Sequence, residues 1–149
     1  SLPADSRTIT SDLVEKNIGV SKDFNNFELL KAVISKDTHA AMRIANYFDK
    51  NPKDNPAIVT LALLFNYFSA LLECFWLPNK NEQAVMAALN LRSSYFARDY
   101  MMGLRNYKAL KVMNIISDLR TFDAKLKGIG NTSASQGELL KELLYRIMH

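Results

Sequence analysis

Five glycines and four prolines among 149 residues leave long stretches with nothing to interrupt a helix. Average usage would put these two residues near 12% of a chain. A collagen-like or turn-rich β protein is therefore disfavoured, and no period-2 strand pattern appears anywhere. The predicted fold class is all-α. At 48% hydrophobic residues the chain is apolar enough for a real core. A chain of this length buries about 68–70% of its unfolded surface.

The breakers are not evenly spread. Asn51-Pro52-Lys53-Asp54-Asn55-Pro56 packs two prolines and two asparagines into six residues, which stops one helix and delays the next. This stretch predicts a boundary between residues 1–56 and residues 57–149. Charge divides there too. The first part carries eight basic and eight acidic side chains, and the second eleven and seven, so the whole net charge of +4 lies in the second.

Three short helices are expected in residues 1–56. Thr10 or Ser11 can cap one from Asp12 to about Asn17, ending at Gly19. Asn25 or Asn26 can cap another that carries Phe27, Leu30, Val33 and Ile34. Asp37 or Thr38 opens a third with Ala41, Ile44, Ala45 and Phe48. About ten apolar side chains make a thin core, so this part is expected to lean on a neighbour.

About five helices are expected in residues 57–149. After Pro56, Ile58, Leu61, Phe65, Phe68, Leu72 and Phe75 recur at intervals of 3, 4, 3, 4 and 3. Val59, Leu63, Leu64, Tyr67 and Leu71 make further faces apolar, which predicts a central helix packed all round and stopped by Pro78. Glu82 to Leu91 reads as a short helix with Val85, Met86 and Leu89. Ser93 or Ser94 can cap Tyr95 to Leu104, which presents Phe96, Tyr100 and Leu104. Lys108 to Lys127 is a long helix stopped by Gly128 and Gly130. Ser135-Gln136-Gly137-Glu138 is a capping box, opening a helix that presents Leu139, Leu140, Leu143, Leu144, Ile147 and Met148.

Ile58 to Leu77 has the length of a membrane span. It contains Thr60, Asn66, Ser69 and Glu73, and a mid-membrane Glu costs a few kcal/mol. A buried helix of a non-membrane protein is expected. Ser1 to Thr10 is too polar for a secretory signal. A single reduced cysteine, Cys74, fits a cytoplasmic protein. The chain does not begin with Met, so a piece of a longer protein is expected.

The sequence offers little for catalysis. One cysteine allows no internal disulfide and no cysteine-based zinc site. His39 and His149 are the only histidines. Gly128-Ile129-Gly130-Asn131 lacks the later Gly and Lys of a phosphate-binding loop and follows a helix where a strand is needed. Asp118 and Asp123 lie five positions apart on one helix and do not face each other, whereas Asp123 and Lys127 have the favourable i,i+4 order. Asp99 with Lys111 or Arg105 forms no distinctive pair. The expectation is a chain with no enzymatic activity, cofactor or metal.

Arg92 to Lys127 is the most informative charged stretch. Eight cations face three anions, net +5, with Tyr95, Phe96, Tyr100 and Tyr107 interleaved. Such a face can meet a protein partner, bind nucleic acid, or be solvated with its aromatics turned inward.

The order of segments resembles the C-terminal part of the delta subunit of the bacterial DNA polymerase III clamp loader. Ile9-Thr10-Ser11-Asp12-Leu13-Val14 looks like the start of that family's lid domain. Asn26-Phe27-Glu28-Leu29-Leu30-Lys31-Ala32 looks like its next helix, and Ala41-Met42-Arg43-Ile44 is similar to its Ala-x-Arg-Ile/Leu helix. Pro56 and the apolar helix after it look like the entry to the collar domain. Asp123-Ala124-Lys125-Leu126-Lys127-Gly128 resembles the Asp-x-x-x-Lys near that domain's end, and Leu139 to Ile147 its closing helix. The 51–56 stretch and Gly128-Ile129-Gly130-Asn131-Thr132 look like the Bacteroidetes form.

The resemblance implies a three-helix AAA+ lid over 1–56 and a helical collar over 57–149, without the N-terminal domain that touches the sliding clamp. It implies lateral association with the tau/gamma and delta-prime subunits and only indirect contact with primed DNA. Tyr95, Arg98, Arg105, Lys108 and Lys111 are the expected subunit-interface residues. A helical nucleic-acid-binding protein using the 92–127 face is the alternative.

Overall fold

The computed structural model describes residues 21–130 and 133–149, and these form seven helices and no strand. In chain order they are α1 (Asn26–Ile34), α2 (Thr38–Lys50), α3 (Ala57–Phe75), α4 (Glu82–Leu89), α5 (Ser94–Asn106), α6 (Ala109–Leu126) and α7 (Gln136–Met148). The all-α expectation holds for the described residues. The helix expected over Asp12–Asn17 lies outside them.

Local chemistry sets most helix ends. Asn25 Oδ1 accepts from the Glu28 amide at 2.9 Å, Asp37 Oδ1 from Ala40 at 3.0 Å, and Asn81 Oδ1 from Ala84 at 2.8 Å. Each satisfies an amide that the first turn leaves unpaired. The Ser135–Glu138 capping box is formed in both directions. Ser93 occupies the cap position of α5 without a side-chain bond. Asn90, at φ 57°, ends α4 in the left-handed region, and Gly128, at φ 94°, turns the chain after α6. Glycine enters that region without a Cβ penalty.

One hydrophobic core draws on both sides of the 51–56 stretch. α2 packs along α7, α3 along α6, and α1 reaches α3, α5 and α7. The thin 21–50 helices do lean on neighbours. Asp49 near the end of α2 pairs with Lys141 of α7 at 3.0 Å. A second small cluster of Cys74, Val85 and Ala97 joins α3, α4 and α5.

Three expectations about faces need correction. α3 is not packed all round. Leu61, Leu64, Tyr67, Phe68, Leu71 and Cys74 are buried, while Ile58, Val59 and Trp76 are exposed. Its length and composition would let it cross a membrane, but here one face carries the core. On α1 the buried set is Leu29, Ala32, Val33 and Ile34, and Phe27 is 71% exposed. Phe96 of α5 is also exposed, because Ala97 and Gly103 face inward instead. By contrast, all six predicted apolar residues of α7 and all four of α2 are buried.

Candidate interaction surface

The aromatic residues of the basic stretch divide by depth. Tyr107 is buried, and its hydroxyl donates to the Val33 carbonyl at 2.6 Å. Tyr100 is half-buried and stacks on Tyr67 at 5.0 Å between ring centroids. Burial holds the Tyr107 and Tyr67 phenols far above the ordinary tyrosine range and also raises Tyr100, because a low-dielectric site disfavours the charged form. These three are structural. Tyr95 and Phe96 remain outside, at 59% and 52% exposure, and meet edge to face at 5.5 Å.

Tyr95, Arg98, Met102 and Arg105 fall within one arc of α5, since steps of three and four residues stay on one helix face. Tyr95, Arg98, Asp99 and Met102 form one wall of a cleft of about 360 Å³. Lys31, Ile34 and Ser35 of α1 form the other. The Asn106 side-chain amide donates to the Ile34 carbonyl at 2.8 Å, which pins the end of α1 against the end of α5. The Lys36 ammonium lies 4.7 Å from the Tyr107 ring centroid at the same junction, within cation–π range. Lys36 itself has φ 57°, an uncommon conformation for a residue with a Cβ.

The five expected interface residues do not form one tight group. Tyr95 and Arg98 share the cleft, and Arg105 continues their stripe. Lys108 is exposed at the N-cap of α6. Lys111 turns to α7, where its ammonium donates to the Arg146 carbonyl at 2.8 Å. A cation at that helix end suits the macrodipole. Among the described residues, Arg98, Arg105 and Lys108 enter no ion pair.

Lys31 and Ile34 also belong to the cleft, and no local pattern signals it. Their apposition to α5 is a tertiary contact across more than sixty positions. Asp123 and Lys127 pair at 3.0 Å as their spacing predicts. Asp118 instead pairs with Arg146 of α7 at 3.1 Å, which raises the guanidinium pKa through that hydrogen bond. No group of three or more potential metal ligands occurs among the described residues. No family model, curated protein or solved structure matches this chain.

Proposed function

We propose that this chain is a non-catalytic assembly module, corresponding to the lid and collar regions of a clamp-loader delta subunit. The resemblance in segment order supports the family. The observation that supports an assembly role is the exposed Tyr95–Arg98–Arg105 stripe, whose cations have no ionic partner among the described residues. Exposed aromatic and arginine residues are the types that anchor protein interfaces.

In this reading the stripe meets a collar domain of tau/gamma or delta-prime in the cytoplasm. The module then works mechanically. It holds delta in a five-membered ring, so that ATP-driven changes in neighbours reach the clamp-opening domain, which lies outside this chain. The sliding clamp and primed DNA are reached through the rest of the complex. Mixing the chain with tau/gamma and delta-prime collar fragments and measuring mass by light scattering tests it. A heteromer is expected; separate masses at micromolar concentration count against the reading.

A second reading rests on Tyr95 lying in one cleft with Lys31 and Arg98. An exposed ring sharing a cleft with two cations, against the single carboxylate of Asp99, also suits single-stranded nucleic acid. Binding that weakens steeply with salt, through counterion release, would favour it, and no binding at low salt would remove it.

A further inference from the structure

α3 and α6 pack along each other, with the Arg120 guanidinium 5.9 Å from the Phe65 ring centroid and Ile58 sharing a cleft with Asp123 and Lys127. Their outer side carries a regular pattern. On α3 and its C-cap, Ile58, Ala62, Phe65, Ser69, Leu72 and Trp76 are exposed or half-exposed, at intervals of 4, 3, 4, 3 and 4. On α6 and its C-cap, Met113, Ile116, Arg120, Asp123 and Lys127 are likewise exposed or half-exposed, at intervals of 3, 4, 3 and 4.

A mean interval of 3.5 is the spacing by which a helix keeps one seam facing a neighbouring helix. Within these rows Phe65, Leu72 and Ile116 are half-buried and pack against the edge of the core, while Ile58, Trp76 and Met113 are exposed. A cleft of about 350 Å³ opens between the rows near Phe65 and Arg120. A second cleft continues past Ile58 and Lys127 toward Pro56 and Gln136.

The two ends of the seam differ chemically. Leu72, Trp76, Met113 and Ile116 make one end apolar, and Trp76 is 68% exposed. The other end holds Ile58 and Phe65 with Arg120 and Lys127. Arg120 lies 5.9 Å from the Phe65 ring centroid and has no ionic partner among the described residues. Asp123, the only acid among the described residues lining this end, is already held by Lys127. The uncompensated charge is therefore positive.

We propose that the α3–α6 seam docks an amphipathic helix of another polypeptide. Its apolar side chains, at heptad spacing, fill the rows, and its carboxylates lie over Arg120 at the Ile58 end. This is helix-in-groove recognition, with apolar anchors giving affinity and charge setting orientation. It lies on different helix faces from the Tyr95 stripe and does not depend on the clamp-loader reading.

Trp76 is the only tryptophan, so its fluorescence reports on the seam directly. The probe is a 21-residue tryptophan-free peptide, on the order of three heptads, with Leu at the a and d positions. Glu occupies the flanking positions of one terminal heptad, and a matched peptide carries Lys there. The Glu peptide is expected to shift Trp76 emission to the blue, saturably, with a Kd on the order of 10 µM. The Lys peptide should bind about tenfold more weakly.

Met113→Asp should abolish the shift. Arg120→Glu should reverse the preference between the two peptides while circular dichroism stays unchanged. Absence of a saturable shift overturns the proposal, as does equal binding of both peptides. So does a shift that follows the concentration of the protein alone, which assigns the seam to a second copy. A shift seen only with phosphatidylcholine–phosphatidylglycerol vesicles assigns it to lipid and overturns the proposal equally.

Discussion

The Tyr107 hydroxyl donates a 2.6 Å hydrogen bond to the Val33 carbonyl, joining residues 74 positions apart. Val33 lies near the end of α1, and Tyr107 is the first of the two residues between α5 and α6. The bond therefore ties the helices before the Pro52–Pro56 stretch to those after it. Lys36 over the Tyr107 ring and Asn106 on Ile34 reinforce the same junction. The wall that α1 lends to the Tyr95 cleft depends on it.

Tyr107→Phe removes this bond and leaves a buried carbonyl with one partner fewer. Its expected cost is about 1–2 kcal/mol, read from the urea midpoint with an unchanged slope. Helix content by circular dichroism should not change. A cost near zero would show that this bond adds little to the other contacts of the junction.

Gly103→Ala should destabilise the protein although alanine favours helices. A Cβ at Gly103 would run into the Tyr67 hydroxyl and press on Leu71 at 3.1 Å. Tyr67 cannot yield freely, because its hydroxyl donates to the Asp99 carbonyl at 2.7 Å and its ring stacks on Tyr100. Overpacking of about 1–3 kcal/mol opposes a helix gain of about 1 kcal/mol. A lowered melting temperature is the expected net result.

Acid should erase the benefit of the α7 capping box. The Ser135 amide donates to Glu138 Oε1 at 2.8 Å, and this bond holds the Glu138 carboxyl below its ordinary pKa. The folded state thus favours the ionised form. Its contribution is present above the unfolded value, about 4.3, and is lost as pH falls through the lower folded value. Wild type and Glu138→Gln should differ in urea midpoint at neutral pH and converge in acid.

Alkali should act in the opposite sense. Burial pushes the Cys74 thiol up to about 11 and raises Tyr67, Tyr107 and Tyr100. The folded state favours their neutral forms, so their contribution is whole below the unfolded values, about 8.5 for Cys and about 10 for Tyr. It is lost as pH rises toward the folded ones. The urea midpoint should fall through this window. Tyrosinate absorbance should appear in two stages, with the buried rings ionising only as the protein unfolds.

Much of this fold was legible because it is local. Asn25, Asp37 and Ser135 could be read as caps from residue type and position alone, since the partner amides lie three residues on. The apolar rows of α2 and α7 were legible because each has one unambiguous face. α3 was harder: apolar residues lie around most of its circumference, so periodicity could not say which face the core would take. Phe27 and Phe96 were misplaced for a related reason. Small neighbours, Ala32 on α1 and Ala97 with Gly103 on α5, permit the close helix contacts and leave the larger rings outside.

The pairs that hold separate segments together were not legible. Asp49–Lys141 and Asp118–Arg146 link residues 92 and 28 positions apart, and no spacing rule connects them. The same holds for the Tyr95 cleft. Tyr95 and Arg98 stood out by type and spacing, but Lys31 and Ile34 enter only through the docking of α1 on α5.

The proposed function has this chain assemble through the exposed stripe of α5. The most direct measurement is the mass of the complex formed with tau/gamma and delta-prime collar fragments, for wild type and for the Arg98→Glu, Arg105→Glu double variant. Wild type is expected to form a heteromer. The double variant should leave separate components, while its melting temperature and helix content match wild type, because both arginines are exposed. A heteromer of equal mass and stability with both proteins would contradict the claim for the α5 stripe. Separate components with wild type itself would contradict the assembly role.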